Sequence, residues 1–234
     1  TSGLVACSDR MVHQGIVPKV WNGFLACEAG NPIMLEAARL TIKNVENEVY
    51  NHPLDISGPG LLRQAIRNAD PTFKVLCDKK GYSLGGLYLK SGVLFAKMSD
   101  KVGRSPYGEL FEKKKVYHQI PLWMTSKEPL SGIDGPNIKG FELRWHNDEA
   151  LYKSMRALSA DLEHVGIRGA YLAFEKVRPM AYKVDLWRYA LLWKYGGVYM
   201  DHEVLLQKPL LDIIDFEQPL FACSDPILHD GIPN

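Results

Sequence analysis

After Asn31-Pro32 the apolar positions recur at helical spacing, which predicts a helix over Met34–Tyr50. The turn Ser57-Gly58-Pro59-Gly60 opens a second helix, Leu61–Asn68. Short apolar runs at Phe73–Cys77, Leu87–Leu89, Val116–Gln119 and Phe141–Trp145 read as strands, while Ile120–Pro136, with three prolines and two glycines, reads as loop. Asn147 is placed to cap a helix beginning at Asp148-Glu149, and Ala170–Phe174 is either a short strand or a helix start. From Val184 to Tyr195 apolar residues cover nearly every face, so this helix is expected to be buried on most sides. Gly196-Gly197 supply the left-handed geometry that ends it, and Val198–Met200 reads as a short buried strand. The alternation of helices and strands predicts an α/β protein.

A long-range repeat sets the organisation. Residues 4–16 (LVACSDRMVHQGI) and 220–232 (LFACSDPILHDGI) agree at eight of thirteen positions at a constant offset of 216. That period is too long for a solenoid and matches one whole domain, so the pattern predicts a tandem array cut mid-domain. On this reading residues 1–112 are the back half of one unit and 113–234 the front half of the next. The halves either combine as one circularly permuted domain or stand split across the repeat junction, with the segment around Lys97–Lys115 as their join. In a permuted domain the two repeat copies compete for one slot, and one of them is expected to be displaced.

Charge agrees with a two-part chain. Residues 1–116 carry 16 Lys+Arg against 11 Asp+Glu, and 117–234 carry 12 against 16, so a +5 half precedes a −4 half and the two are suited to dock. The imbalance is too small for nucleic-acid binding, and Lys113-Lys114-Lys115 reads as a solvated hinge. With 46% hydrophobic and 24% charged residues the 234-residue chain can bury a sizeable core, which excludes disordered and collagen-like classes. No apolar run approaches the roughly 18 residues of a membrane span, and no basic-then-apolar leader is seen. The chain opens at Thr1, so a targeting segment lost from it stays open. Cys7, Cys27, Cys77 and Cys223 show no CxxC spacing; they read as buried thiols rather than as a zinc site.

The chemistry concentrates in Val184–Val204. Asp185 and Arg188 lie at i and i+3 on one face of a largely apolar helix, where a charged pair is costly unless paired or turned into a polar cleft. The following strand runs into Asp201-His202-Glu203; in extended chain Asp201 and Glu203 project to one side and His202 to the other. Two carboxylates at the carboxyl end of a strand, where α/β folds bind ligands, repel a nucleotide diphosphate unless Mn²⁺ or Mg²⁺ bridges them. The pair therefore implies a divalent metal, bound by Asp201 and Glu203. Each feature has a bland counterpart: a structural ion pair, a solvated acidic turn, a simple helix cap, and for His202 a side chain turned into the fold.

Joined in this order, the residues resemble the DxxRYxxLxxxGGxYxDxD signature of glycosyltransferase family 32, the sugar-binding region containing a DXD motif. That group includes fungal initiating mannosyltransferases and is related to the glucosylating domains of large clostridial toxins. The match runs through Asp185, Arg188, Tyr189, Leu192, Gly196, Gly197, Tyr199 and Asp201, with Glu203 standing where the signature has its last Asp. Val116–Gln119 followed by Trp123 is similar to the family's opening K-I-I-H-Q-x-W strand, with two extra residues. Phe141–Glu149 is similar to its yxLWxDDE block, and Leu206–Leu210 to its lkPL. Asn22–Ala26, Gly30–Pro32 and Ser57–Gly60 resemble blocks that in the family follow the acidic motif, whereas here they precede it. That inversion agrees with the repeat.

The resemblance implies a Rossmann-like GT-A fold with a mixed, mostly parallel sheet and flanking helices. It implies a metal-dependent retaining transferase moving a hexose from a nucleotide-diphosphate sugar to a hydroxyl of a glycan, lipid or protein. Asp185, Arg188 and Asp201 take the catalytic places, and Trp123, Asp185, Arg188 and Tyr189 meet the donor. Asp201 and Glu203 hold Mn²⁺ or Mg²⁺. His118 and Gln119 read as structural; the repeat-equivalent pairs His13/His229 and Asp9/Asp225 have either acceptor-side or core roles. The compartment is open: Golgi or secretory lumen in a eukaryote, cytoplasm or membrane surface in a bacterium. The competing class is an inactive module that binds nucleotide sugar or glycan without transferring it.

Overall fold

The computed structural model describes residues 5–6, 20–49, 53–69, 86–88, 94–98, 120–124, 141–144, 146, 148–178, 180–201, 204–214 and 220–224. The first part of the chain holds β1 (Val5–Ala6), β2 (Val20–Cys27), α1 (Pro32–Glu46), α2 (Pro53–Ile56), α3 (Pro59–Ala69), β3 (Gly86–Tyr88) and β4 (Leu94–Met98). Then come β5 (Ile120–Met124), β6 (Phe141–Leu143), α4 (Asp148–His164), α5 (Ala170–Lys176) and α6 (Met180–Tyr195). The last described elements are β7 (Gly197–Met200), β8 (Val204–Leu206), α7 (Leu210–Ile213) and β9 (Leu220–Ser224).

The protein is mixed α/β. One sheet has six strands in the order β1-β9-β2-β7-β5-β6 and a second has three, β3-β4-β8. Each sheet draws strands from both sides of residue 112. Among the described strands only β1 and β9 pair in parallel; β9 with β2, β2 with β7, β7 with β5 and β5 with β6 are antiparallel. The expectation of a mostly parallel sheet is therefore corrected. Short strands buried on both faces read as continuous apolar runs whichever way their neighbours point, so the residue pattern carries no signal of direction.

The described residues of the two repeat copies lie side by side. Val5 pairs with Phe221 and Ala6 with Ala222, so β1 and β9 run in step at the repeat offset itself. β9 holds the inner position against β2 and β1 lies outside it.

Between β2 and β9 the register jumps from Trp21–Cys223 to Leu25–Ala222, so that Asn22, Gly23 and Phe24 form a bulge in β2. This bulge turns the middle of β2 toward β7 and α6, the elements that carry the acidic and basic residues.

The helices form where capping and periodicity direct. Asn31 Oδ1 accepts from the N–H groups of Ile33 (3.0 Å) and Met34 (3.2 Å), and Pro32 occupies the first turn of α1. The buried face of α1, with Met34, Ala37, Ala38 and Thr41, packs in the core with α3, α4, α5 and α6. Residues 170–176 resolve as helix rather than strand. Lys183, buried in α6, donates to the carbonyls of Phe174 (2.5 Å) and Glu175 (3.3 Å), satisfying the end of α5, and sits 4.7 Å from the Phe174 ring centre. Ile120–Met124 is a strand despite Pro121, correcting the loop assignment there. Val116–Gln119, Phe73–Cys77 and Asn147 lie outside the described residues. No described helix is long and apolar enough to cross a membrane.

α6 is buried continuously from Lys183 to Leu192. Gly196 N–H bonds the Leu192 carbonyl at 2.8 Å, and the chain turns through Gly196 (φ 65°) and Gly197 (φ 92°) into β7. A Cβ at Gly196 would stand 2.5 Å from the Ala29 amide nitrogen and 2.9 Å from the Cys27 carbonyl oxygen. Both the left-handed φ and this backbone contact exclude a side chain. Gly196→Ala is expected to lower unfolding free energy by about 2–4 kcal/mol in urea titrations. An unchanged midpoint would show that the turn is not so confined.

Candidate functional site

The site is organised around one guanidinium. Arg188 and Asp185 stand one helical turn apart on α6, and Arg188 Nη2 meets Asp185 Oδ1 at 3.1 Å. Arg188 Nη1 donates to the Asn22 carbonyl on the β2 bulge at 2.6 Å and reaches Asp201 Oδ1 at 3.5 Å. The guanidinium carbon lies 4.4 Å from the centre of the Tyr199 ring, a cation–π arrangement. Helix, bulged strand and acidic strand are thus joined at one buried cation. Arg188 Nε is buried without a hydrogen-bond partner among the described residues. Burial opposes the charge, yet Tyr199, Asp201 and Asp185 together hold Arg188 more firmly protonated than an ordinary arginine.

Asp185 is held at both oxygens. Oδ1 accepts from Asn22 Nδ2 (2.9 Å) as well as Arg188, and Oδ2 accepts from Ser57 Oγ (2.8 Å). Tyr189, fully buried, donates its hydroxyl to the Ser57 carbonyl at 2.7 Å and accepts from Asn22 Nδ2 at 3.1 Å. Burial pushes the Asp185 carboxyl up to about 6, against the opposing pull of Arg188, Ser57 and Asn22. It is ionised at neutral pH.

Asp201 differs. Its backbone N–H bonds the Gly23 carbonyl (2.8 Å), its Oδ1 accepts from the Tyr199 hydroxyl (2.6 Å), and its side chain is 32% exposed. Burial keeps the Tyr199 phenol protonated well above its ordinary pKa, so it acts as donor in that bond. Oδ2 accepts no hydrogen bond among the described residues. It lies over Gly23, where an added Cβ would stand 2.4 Å from it. A carboxylate on a partly exposed side chain, with one oxygen unbonded among the described residues, is a hard donor of the kind a divalent cation takes.

Of the residues singled out in the sequence, Asp185, Arg188, Tyr189 and Asp201 come together. The Trp123 backbone lies in β5, paired with Glu142 of β6 and next to β7. His202 and Glu203 lie outside the described residues, as do His118, Gln119, His13, His229, Asp9 and Asp225. Among the described residues no three His, Cys, Asp or Glu side chains form a metal cluster. Asn22, Ser57, Tyr199 and Gly23 had been given no role at the site. The available signal was Asn22-Gly23 inside the apolar run Val20–Cys27, where a buried polar side chain requires a partner.

Because the folded-state pKa of Asp185 is raised from 3.8 to about 6, its contribution to stability is full below pH 4 and is lost as pH rises through 6. Asp185→Asn removes that titration. Urea titrations from pH 4 to pH 6.5 should show the wild type losing stability steadily relative to the variant. Parallel stability curves would contradict the buried setting of this carboxyl.

Residues 111–220 match the family model described as "Glycosyltransferase sugar-binding region containing DXD motif". No curated protein and no solved structure matches the chain. The matched segment carries α4 to α7 and thus Asp185, Arg188, Tyr199 and Asp201, while Asn22, Gly23 and Ser57 lie before it. The match likens this segment, a little under half of the chain, to the sugar-binding region of those glycosyltransferases.

Proposed function

We propose that the protein is a metal-dependent, retaining hexosyltransferase of the family 32 type, which takes a nucleotide-diphosphate sugar as donor and a hydroxyl of a glycan, lipid or protein as acceptor. The observation that carries this reading is the meeting of Asp185, Arg188 and Asp201 from helix and strand, with Asp201 Oδ2 unbonded over Gly23. In this reading the architecture is a GT-A-type nucleotide-sugar domain in permuted order, drawn from two successive units of a tandem array.

Asp201 and Glu203 would hold Mn²⁺ or Mg²⁺, with Tyr199 fixing the Asp201 carboxylate through Oδ1. When bound there, such an ion would supply positive charge for the donor diphosphate and for the leaving phosphate. In this reading Arg188, permanently charged and with a buried Nε that has no partner among the described residues, donates to a sugar or phosphate oxygen. Asp185 keeps that guanidinium oriented, and its carboxylate edge is the place for a donor hydroxyl. Retention by front-face departure and attack needs no protein nucleophile; electrostatic stabilisation of the leaving group supplies most of the rate. Trp123 is assigned to the base of the nucleotide.

A module that binds without transferring is the second reading. It is favoured by the depth of Asp185 and Arg188, whose side chains are only 9% and 6% exposed and whose polar atoms the fold largely occupies. One experiment separates the two. Calorimetric titration with UDP- and GDP-sugars, with and without Mn²⁺, is expected to show metal-dependent binding accompanied by nucleotide release. Asp201→Ala should reduce both by about 100-fold or more. Binding without release selects the module, and metal-independent binding that survives Asp201→Ala removes the metal assignment.

A further inference from the structure

Two side chains outside the matched segment grip the carboxylate at its centre. Ser57 Oγ holds Asp185 Oδ2 at 2.8 Å and Asn22 Nδ2 holds Oδ1 at 2.9 Å. Asn22 also presents its backbone carbonyl to Arg188 Nη1 at 2.6 Å. Ser57 is fully buried and Asn22 nearly so, so neither hydroxyl nor amide has water as an alternative partner. The Ser57 carbonyl and the Asn22 amide are tied to each other through the Tyr189 hydroxyl, at 2.7 and 3.1 Å. Ser57 lies just before α3, and Asn22 is delivered by the β2 bulge. These are independent segments meeting on one side chain of α6.

We propose that Asn22 and Ser57 are positioning residues that clamp Asp185, one oxygen each, and thereby fix the Arg188 guanidinium between Asp185 and Asp201. The clamp acts through Asp185 and Arg188 and does not touch the reacting atoms. It follows that the segment 111–220 does not hold a complete site. Without the clamp Asp185 keeps only the Arg188 contact and is free to rotate about its side-chain torsions, and the guanidinium loses both the Asn22 carbonyl and its fixed counter-charge. Donor binding then requires the earlier segment to be docked. The purpose served, orienting Arg188 toward a nucleotide-sugar donor, rests on the transferase reading; the clamp itself does not.

The test uses the full chain without ligand first. In ¹⁵N-arginine spectra the Arg188 side chain is expected to show slow guanidinium rotation and protected Nη hydrogens, as a buried multiply bonded cation does. Ser57→Ala and Asn22→Ala should each raise Nη hydrogen exchange at least about tenfold while the backbone amides of α6 keep their protection. Ser57→Thr, which retains the hydroxyl, should return exchange to within about threefold of wild type. Unchanged Arg188 exchange in both alanine variants overturns the clamp, as does a Ser57→Thr variant that behaves like Ser57→Ala while its backbone stays protected. The second arm measures UDP-glucose and GDP-mannose affinity in Mn²⁺, with an expected weakening of about tenfold in Ser57→Ala and rescue in Ser57→Thr. A wild type that binds neither sugar nucleotide defeats the functional reading, and the ligand-free spectra still decide the clamp.

Discussion

Burying a guanidinium is the constraint around which this protein is built. A cation removed from water at the meeting of a helix and two strands is tolerated only when carbonyls and carboxylates surround it. Here the helix supplies Asp185 from one turn away, the bulged strand supplies a backbone carbonyl, and the acidic strand supplies Asp201 together with the face of Tyr199. Asp185, Asp201 and Tyr199 each have a further partner, so Arg188 sits in a network rather than a pair. Removing any member leaves a buried charge or a buried acceptor exposed to the full cost of desolvation, which makes the arrangement stiff.

That stiffness divides the two carboxylates. Asp185 is bonded at both oxygens, whereas Asp201 is partly exposed and, among the described residues, bonded through Oδ1 alone. The same residue type meets two environments, one that saturates it and one that does not. Gly23 lets the Asp201 carboxylate and the Trp21 ring approach the strand this closely, since a Cβ there would collide with both.

Much of this was legible before any coordinates. Asn31-Pro32 and Gly196-Gly197 announced where α1 begins and α6 ends, and the unbroken apolar character of Val184–Tyr195 announced a helix surrounded by protein. The i,i+3 spacing placed Asp185 beside Arg188. Strand direction was hidden, because β2, β7 and β9 are apolar on both faces and such runs look alike in parallel and antiparallel sheets. The partners of Asp185 were hidden for another reason: Asn22 and Ser57 stand 163 and 128 positions away, and only the tertiary fold brings them near. Pro121 misled, since it marks a break in most contexts but is accommodated in β5.

The parallel pairing of β1 with β9 has a consequence for how the sheet is specified. Over the two residue pairs that join them, β1 follows β9 at the offset of the repeat, and because β9 runs antiparallel to β2, β1 has the same direction relative to β2. One sheet thus holds strands from both copies of the repeated segment, with β9 alone in the place next to β2.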